Sequence, residues 1–263
     1  MKAEDLGVKA KNSANTLQAI LDINNTHSEP VLPSQIDNPD QVWRHPQRVE
    51  FYVDFETVSD LKDDFKNVPE SGGTPLIFMI GCGHLEDDKW EWKCFTTDRL
   101  TEEAEGLIID QWMDHMYEVQ NRIDPAGYTP IVYHWSHAEV STFDSAFNSA
   151  KNRHADKEWP TLNWYDFLQE VIKKEPVVVK GAFGFGLKAI AGSLNKRGLI
   201  ETSWDAGPTD GLGAMVGAWW ADDEANSKGI TMNDIPMVQE ISQYNEVDCK
   251  VMMEIIEYLR KNH

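Results

Sequence analysis

Apolar residues recur along the chain with periods that change from place to place, and each period predicts an element. To about residue 46 the chain is polar and broken by Pro30, Pro33, Pro39 and Pro46, with one helical pattern through Leu17, Ile20 and Leu21. This stretch reads as an appended arm, and residues 47–263 as the compact domain. Val49 to Glu56 is β-branched and aromatic with acids at its end, the pattern of a buried strand running into a site. Pro75 to Gly83 is a second apolar strand. Lys89 to Thr96 alternates Trp90, Trp92 and Cys94 with charged residues, and Glu86-Asp87-Asp88 before it suits a hairpin turn. Three antiparallel strands are thus expected first. Thr101 then opens a helix with Glu102, Glu103 and Glu105 at its positive dipole end and Leu107, Ile108, Trp112 and Met116 at helical spacing.

Pro130 to Trp135 reads as a buried strand, Ala138 to Asn152 as a helix and Leu162 to Phe167 as a fifth strand, so the order is βββαβαβ followed by helices. Residues 198–232 are rich in Gly and hold Trp219-Trp220 without a clear period; they read as an insertion with a short helix near Leu212 to Trp220. Met237 to Leu259 closes the chain as a long amphipathic helix. The expectation is an α/β fold.

Composition narrows the class. With 263 residues, 41% of them hydrophobic and 26% charged, the chain has enough apolar material for a sizeable core, so wholesale disorder is excluded. No apolar run approaches the roughly 18 residues of a spanning helix, and no apolar segment follows a basic start, which predicts a cytoplasmic protein without a membrane partner. Cys82, Cys94 and Cys249 are odd in number and widely spaced, a pattern unlike a disulfide framework or a thiolate zinc site. The formal net charge of −20 repels nucleic acid and anionic membranes. Residues 151–200 run the other way, with nine Lys or Arg against five Asp or Glu, so a positive track on an acidic body is compatible with the sequence.

Candidate chemistry lies in three places. Asp54 and Glu56, two apart on a strand, share one face and can chelate a divalent cation. Asp156/Glu158 and Asp222/Glu224 have the same spacing in polar surroundings, whereas Asp54 and Glu56 follow an apolar run; there an ionised pair costs several kcal/mol unless it is paired or metal-bound. On the last helix Tyr244 and Asp248 share a face at i, i+4, beside the apolar stripe of Ile241, Val251, Met252, Ile255 and Ile256, so Asp248 is expected to face inward. Third, Tyr133 to Glu139 runs from a strand into a helix start, which puts Glu139 in a first helical turn above the sheet's end. His134 and His137 lack a thiolate partner, and an oxygen-rich site favours magnesium or manganese over zinc.

These residues resemble the ribonuclease-H-like DEDD exonucleases of the tyrosine type, and among them the predicted RecB-type, YprB-like nuclease domains, over roughly residues 47–262. Asp54 and Glu56 match the family's D-x-E strand, Glu139 its second motif, and Tyr244 and Asp248 its Y-x-x-x-D helix. Trp164 to Leu168 and Gly186 to Ala191 are similar to two further segments of that subfamily, with Gly186 in place of the usual Ser. Most members carry Asp in the second motif; Glu139 departs from that, and Asp144, one turn on, is the reserve candidate.

The resemblance implies a ribonuclease-H-like fold, a mixed five-stranded sheet in βββαβαβα order flanked by helices. It also implies two divalent cations, Mg²⁺ or Mn²⁺, held by Asp54, Glu56, Glu139 and Asp248, with Tyr244 orienting the attacking water. The implied activity is stepwise hydrolysis from the 3′ end of single-stranded DNA or RNA, alone or as proofreader for a polymerase or other replication or repair protein. Lys188, at a helix start after Gly181, Gly184 and Gly186, could hold a substrate phosphate, and Phe183 and Phe185 could stack a terminal base. Two other readings compete: a catalytically inactive ribonuclease-H-like module that binds a partner through its arm or Trp219-Trp220, and an acidic mimic of nucleic acid.

Overall fold

The computed structural model describes residues 11–25, 28–37, 41–58, 75–135, 142–204 and 211–263. In chain order its elements are α1 (Lys11–Asn25), β1 (Val31–Leu32), β2 (Glu50–Val58), β3 (Leu76–Glu86), β4 (Lys89–Thr96), α2 (Glu102–Ile123), β5 (Ile131–His134), α3 (Thr142–Arg153), β6 (Asn163–Asp166), β7 (Val178–Val179), α4 (Leu187–Asn195), α5 (Gly211–Lys228) and α6 (Pro236–Asn262). A π-helical turn, Leu168–Lys173, follows β6.

Five strands form one mixed sheet in the order β4-β3-β2-β5-β6. β2, β3 and β4 pair antiparallel as the hydrophobic pattern predicts, and β5 and β6 join parallel to β2. Asp87 and Asp88 both adopt positive φ, 50° and 62°, which a two-residue turn needs to match the strands' right-handed twist. Thr101 caps α2 by accepting the Ala104 amide at 3.2 Å. The inner stripe of α2 is Ile108, Trp112 and Met116, while Leu107, predicted to belong to it, is exposed.

Strand alternation sorts the core onto two faces. Phe51, Val53 and Phe55 of β2 pack towards α2 and α3. Tyr52 and Val58 pack on the opposite face, with α4, α5 and α6. α6 lies directly over β3 at Gly81, where a Cβ would stand 1.6 Å from Asn245 Oδ1. That close approach brings the middle of α6 down to the neighbouring strand, because Gly81 is the register partner of Asp54.

Three expectations are revised in extent. The helix expected near Leu212 to Trp220 runs from Gly211 to Lys228. The helix expected over Ala138 to Asn152 is described from Thr142 to Arg153, and residues 136–141 lie outside the described residues. The second strand continues past Gly83 to Glu86. The described part of the N-terminal stretch is stitched to the rest. β1 pairs with β7, the Asn24 side chain accepts the Gly181 amide at 2.7 Å, and the Ile36 amide bonds the His263 carbonyl at 2.9 Å. Among the described residues no helix is long and apolar enough to cross a membrane. All three cysteines are free; Cys82 and Cys249 are buried and Cys94 is half-buried.

Candidate metal centre

The face of β2 that carries Tyr52 and Val58 also carries Asp54 and Glu56, and α6 presents Asp248 to it. Asp54, Glu56 and Asp248 each offer a carboxylate oxygen, and these three atoms lie within 4.8 Å of one another. It is the only such cluster of three or more metal-ligating side chains among the described residues. Asp248 is 8% exposed and Glu56 6%, with Asp54 half-buried. Carboxylates this close and this dry cannot all stay ionised without an added positive charge.

The protonation equilibria reflect that conflict. Burial, and then the charge of Asp248, raise the Asp54 carboxyl well above its ordinary range, against the lowering effect of the Phe55 amide. Glu56 is raised by burial, then by Asp54 and Asp248, with Lys188 and Asn245 opposing. Asp248 is pushed up to about 7, chiefly by burial, despite hydrogen bonds from Tyr244 and Trp204 and the charge of Lys188. The Tyr244 phenol is itself driven far above its ordinary value by burial and by Asp248, Glu56 and Asp54, so it stays protonated and acts as a hydrogen-bond donor.

Neutral donors orient the acids. Asn245 Nδ2 donates to Asp54 Oδ2 at 3.0 Å and to the Asp54 carbonyl at 3.3 Å. Trp204 Nε1 donates to Asp248 Oδ1 at 2.9 Å. The Lys188 ammonium stands 4.5 Å from the centre of the Tyr244 ring and 6.0 Å from that of Trp204. All-oxygen ligation, with no thiolate or imidazole in the cluster, fits a hard divalent cation such as Mg²⁺ or Mn²⁺.

Of the residues singled out in the sequence, Asp54, Glu56, Tyr244, Asp248 and Lys188 come together here. Glu139 and His137 lie outside the described residues, as does the side chain of Asp144. Phe183 is 74% exposed. Phe185 is half-buried against the core and accepts the Trp135 indole N–H on its carbonyl at 3.1 Å. His134 is buried and meets the Trp164 ring edge-on at 5.7 Å.

Sequence reasoning missed Asn245 and Trp204. Asn245 had a signal, an amide four residues after Ile241 and so inside the apolar stripe of α6. Trp204 had none, since its segment has no period that could show where the indole points.

No protein-family model matches the chain, and no curated protein gives a significant match to it.

Proposed function

We propose that this chain is a metal-dependent nuclease of the ribonuclease-H-like DEDD type, a 3′ to 5′ exonuclease that hydrolyses phosphodiester bonds of single-stranded DNA or RNA. The observation that carries this reading is the convergence of Asp54 and Glu56 on β2 with Asp248 on α6, their oxygens within 4.8 Å, where burial raises all three carboxyls and repulsion from the neighbouring acids raises Asp54 and Glu56 further, with the charge of Lys188 opposing at Glu56 and Asp248. The mixed five-stranded sheet, with antiparallel strands first and parallel strands after, supports it as the arrangement the resemblance implies. Free cysteines and the absence of a spanning helix among the described residues are compatible with the cytoplasm, where we assign it.

Asp54, Glu56 and Asp248, with Glu139 as the expected fourth acid, would hold two divalent cations. When bound, such ions supply a water activated for attack and a Lewis acid for the departing 3′ oxygen. The chain's own residues do the rest. Asn245 and Trp204 each hold one oxygen of a liganding carboxylate and so set its direction. Tyr244, a protonated phenol whose one O–H goes to Asp248, would orient the attacking water through its oxygen as acceptor, and it is too weak an acid to be present as a phenolate base. Lys188 provides the positive charge for a substrate phosphate at a site the net charge of −20 otherwise disfavours.

The test uses single-stranded DNA and RNA labelled at either end and incubated with Mg²⁺, Mn²⁺ or EDTA. The expected result is stepwise release of mononucleotides from the 3′ end with either metal, none in EDTA, and none from Asp54→Ala. Intact substrate under every metal condition would overturn the proposal.

A further inference from the structure

Trp204 is half-exposed and its indole has a single donor, which is spent on a buried carboxylate. The segment that delivers it is anchored from both sides. On α6, Glu254 accepts the Glu201 amide at 3.0 Å, the Thr202 amide at 2.9 Å and the Thr202 hydroxyl at 2.5 Å. At the end of α4, Asn195 Nδ2 reaches three successive carbonyls, those of Ile200, Glu201 and Thr202, at 3.3, 3.0 and 3.4 Å. A segment without helix or strand is thus held at consecutive residues, and the Trp204 indole beyond them is aimed at Asp248. Glu254 and Asp248 sit on the same helix, so α6 fixes both the carboxylate and the anchor of its donor.

We propose that Trp204 is a positioning residue of the metal centre, and that Glu254 sets its place from a distance through the Ile200–Trp204 strap; this rests on the metal-centre reading above. A carboxylate held at one oxygen presents the other in a fixed direction, and outer partners of this kind typically govern metal affinity by about 10–100-fold. An indole N–H does this without a cation's charge. A lysine or arginine in its place would hold Asp248 equally well but would oppose the binding of a divalent ion.

Mn²⁺ affinity of the full chain, measured calorimetrically without any nucleic acid, tests the proposal. The variants are Trp204→Phe, which keeps an aromatic ring on the Lys188 side and removes the N–H together with part of the indole, Glu254→Ala, the double variant and Asp248→Asn. Trp204→Phe is expected to bind Mn²⁺ about 10–100-fold more weakly. Glu254→Ala, which touches no ligand, weakens it in the same direction by less. The double variant is no weaker than Trp204→Phe, because both changes remove one hydrogen bond. Wild-type affinity in Trp204→Phe, or a double variant showing the product of the two single effects, overturns the proposal. Should Trp204→Phe fail to fold, judged by melting in EDTA, unchanged affinity in Glu254→Ala overturns it alone. If wild type and Asp248→Asn bind Mn²⁺ equally, the metal centre itself fails and this role with it, a pattern distinct from the loss of the Trp204 effect alone.

Discussion

One strand, β2, carries buried acids at both ends of the same sheet face, and the two ends are treated in opposite ways. Glu50 accepts Arg260 through both oxygens, at 2.8 and 2.9 Å, and takes a further hydrogen bond from the Tyr52 hydroxyl at 3.0 Å. Arg260 also bonds Glu257 at 2.8 Å and the Tyr133 oxygen at 3.0 Å, so charge and hydrogen-bonding capacity are both matched. At the other end, among the described residues no arginine figures in the charges acting on Asp54, Glu56 and Asp248; Lys188 is the one cation that does, and the hydrogen-bond donors Asn245, Tyr244 and Trp204 are neutral. Burial alone therefore does not distinguish a structural acid from a functional one. The sign and fixity of its partners do, and this separates the two readings at residues four and six positions apart.

The largest effect is expected at the balanced end. Replacing Glu50 by Ala strands the Arg260 guanidinium, whose side chain is 5% exposed, with Glu257 as its remaining carboxylate. Breaking a buried pair from one side costs about 3–5 kcal/mol, and the surviving Glu257 contact places this variant near the lower figure. Urea unfolding checks it: a midpoint lowered in proportion, with metal affinity intact, keeps this cluster structural. A loss of Mn²⁺ affinity at unchanged stability would erase the contrast between the two ends.

At the unbalanced end the sign reverses. The Asp248 carboxyl lies at about 7 in the folded chain against an ordinary value of 3.8. Between those values the folded state holds a proton that the unfolded state has released, so stability falls as pH rises through that window and the loss is complete above about 7. Asn at this position cannot ionise. In EDTA, Asp248→Asn is therefore expected to be more stable than wild type at pH 8, by on the order of 3 kcal/mol, with the gain shrinking as pH falls and vanishing near pH 4. Denaturation of both proteins across that range checks it; the Asp54 and Glu56 carboxyls, which the Asp248 charge raises, are relieved in the variant and add to the gain in the same direction. A variant less stable than wild type at pH 8 would mean that Asp248 is held as an ordinary structural acid.

Much of this was legible in the sequence. The strands announced themselves because β-branched and aromatic residues dominate Val49 to Phe55 and Leu76 to Ile80, and the inward set of Asp248 followed from its place beside Val251 and Met252. The length of α5 was not legible because its polarity is inverted. Its buried face is made of Ala214, Gly217, Ala218, Ala221 and Ala225, while Leu212, Val216 and Trp220 face outward, so no apolar stripe marks the inner side. The docking of the N-terminal stretch was hidden for another reason. It depends on two-residue strands and on side-chain bonds such as Asn24 to Gly181, which no local period encodes. Within the site, the acids had motifs to identify them, but Trp204 acts through tertiary contact alone.

Gly81 is the quietest of these unmarked positions, and it gives the smallest effect and the finest test of the comparison. Its added Cβ would meet Asn245 Oδ1 at 1.6 Å, Asn245 Cγ at 2.8 Å and Cys249 Sγ at 3.2 Å, all on the face of α6 that carries Asp248. The Asn245 side chain is fully buried and holds Asp54, so the overlap can be relieved only by turning the amide away or by lifting α6 off the sheet. Overpacking of this kind costs about 1–3 kcal/mol, no more than stranding Arg260. Its consequence for metal is larger than that cost suggests, because either relief disturbs the relation between Asp54 and Asp248 and leaves the Glu50–Arg260 end alone. Gly81→Ala is therefore expected to lower the urea midpoint modestly and to weaken Mn²⁺ binding by about tenfold or more. Glu50→Ala does the reverse, costing stability and sparing the metal. Unaltered Mn²⁺ affinity in Gly81→Ala would show that the register between α6 and β3 does not set the spacing of the acids.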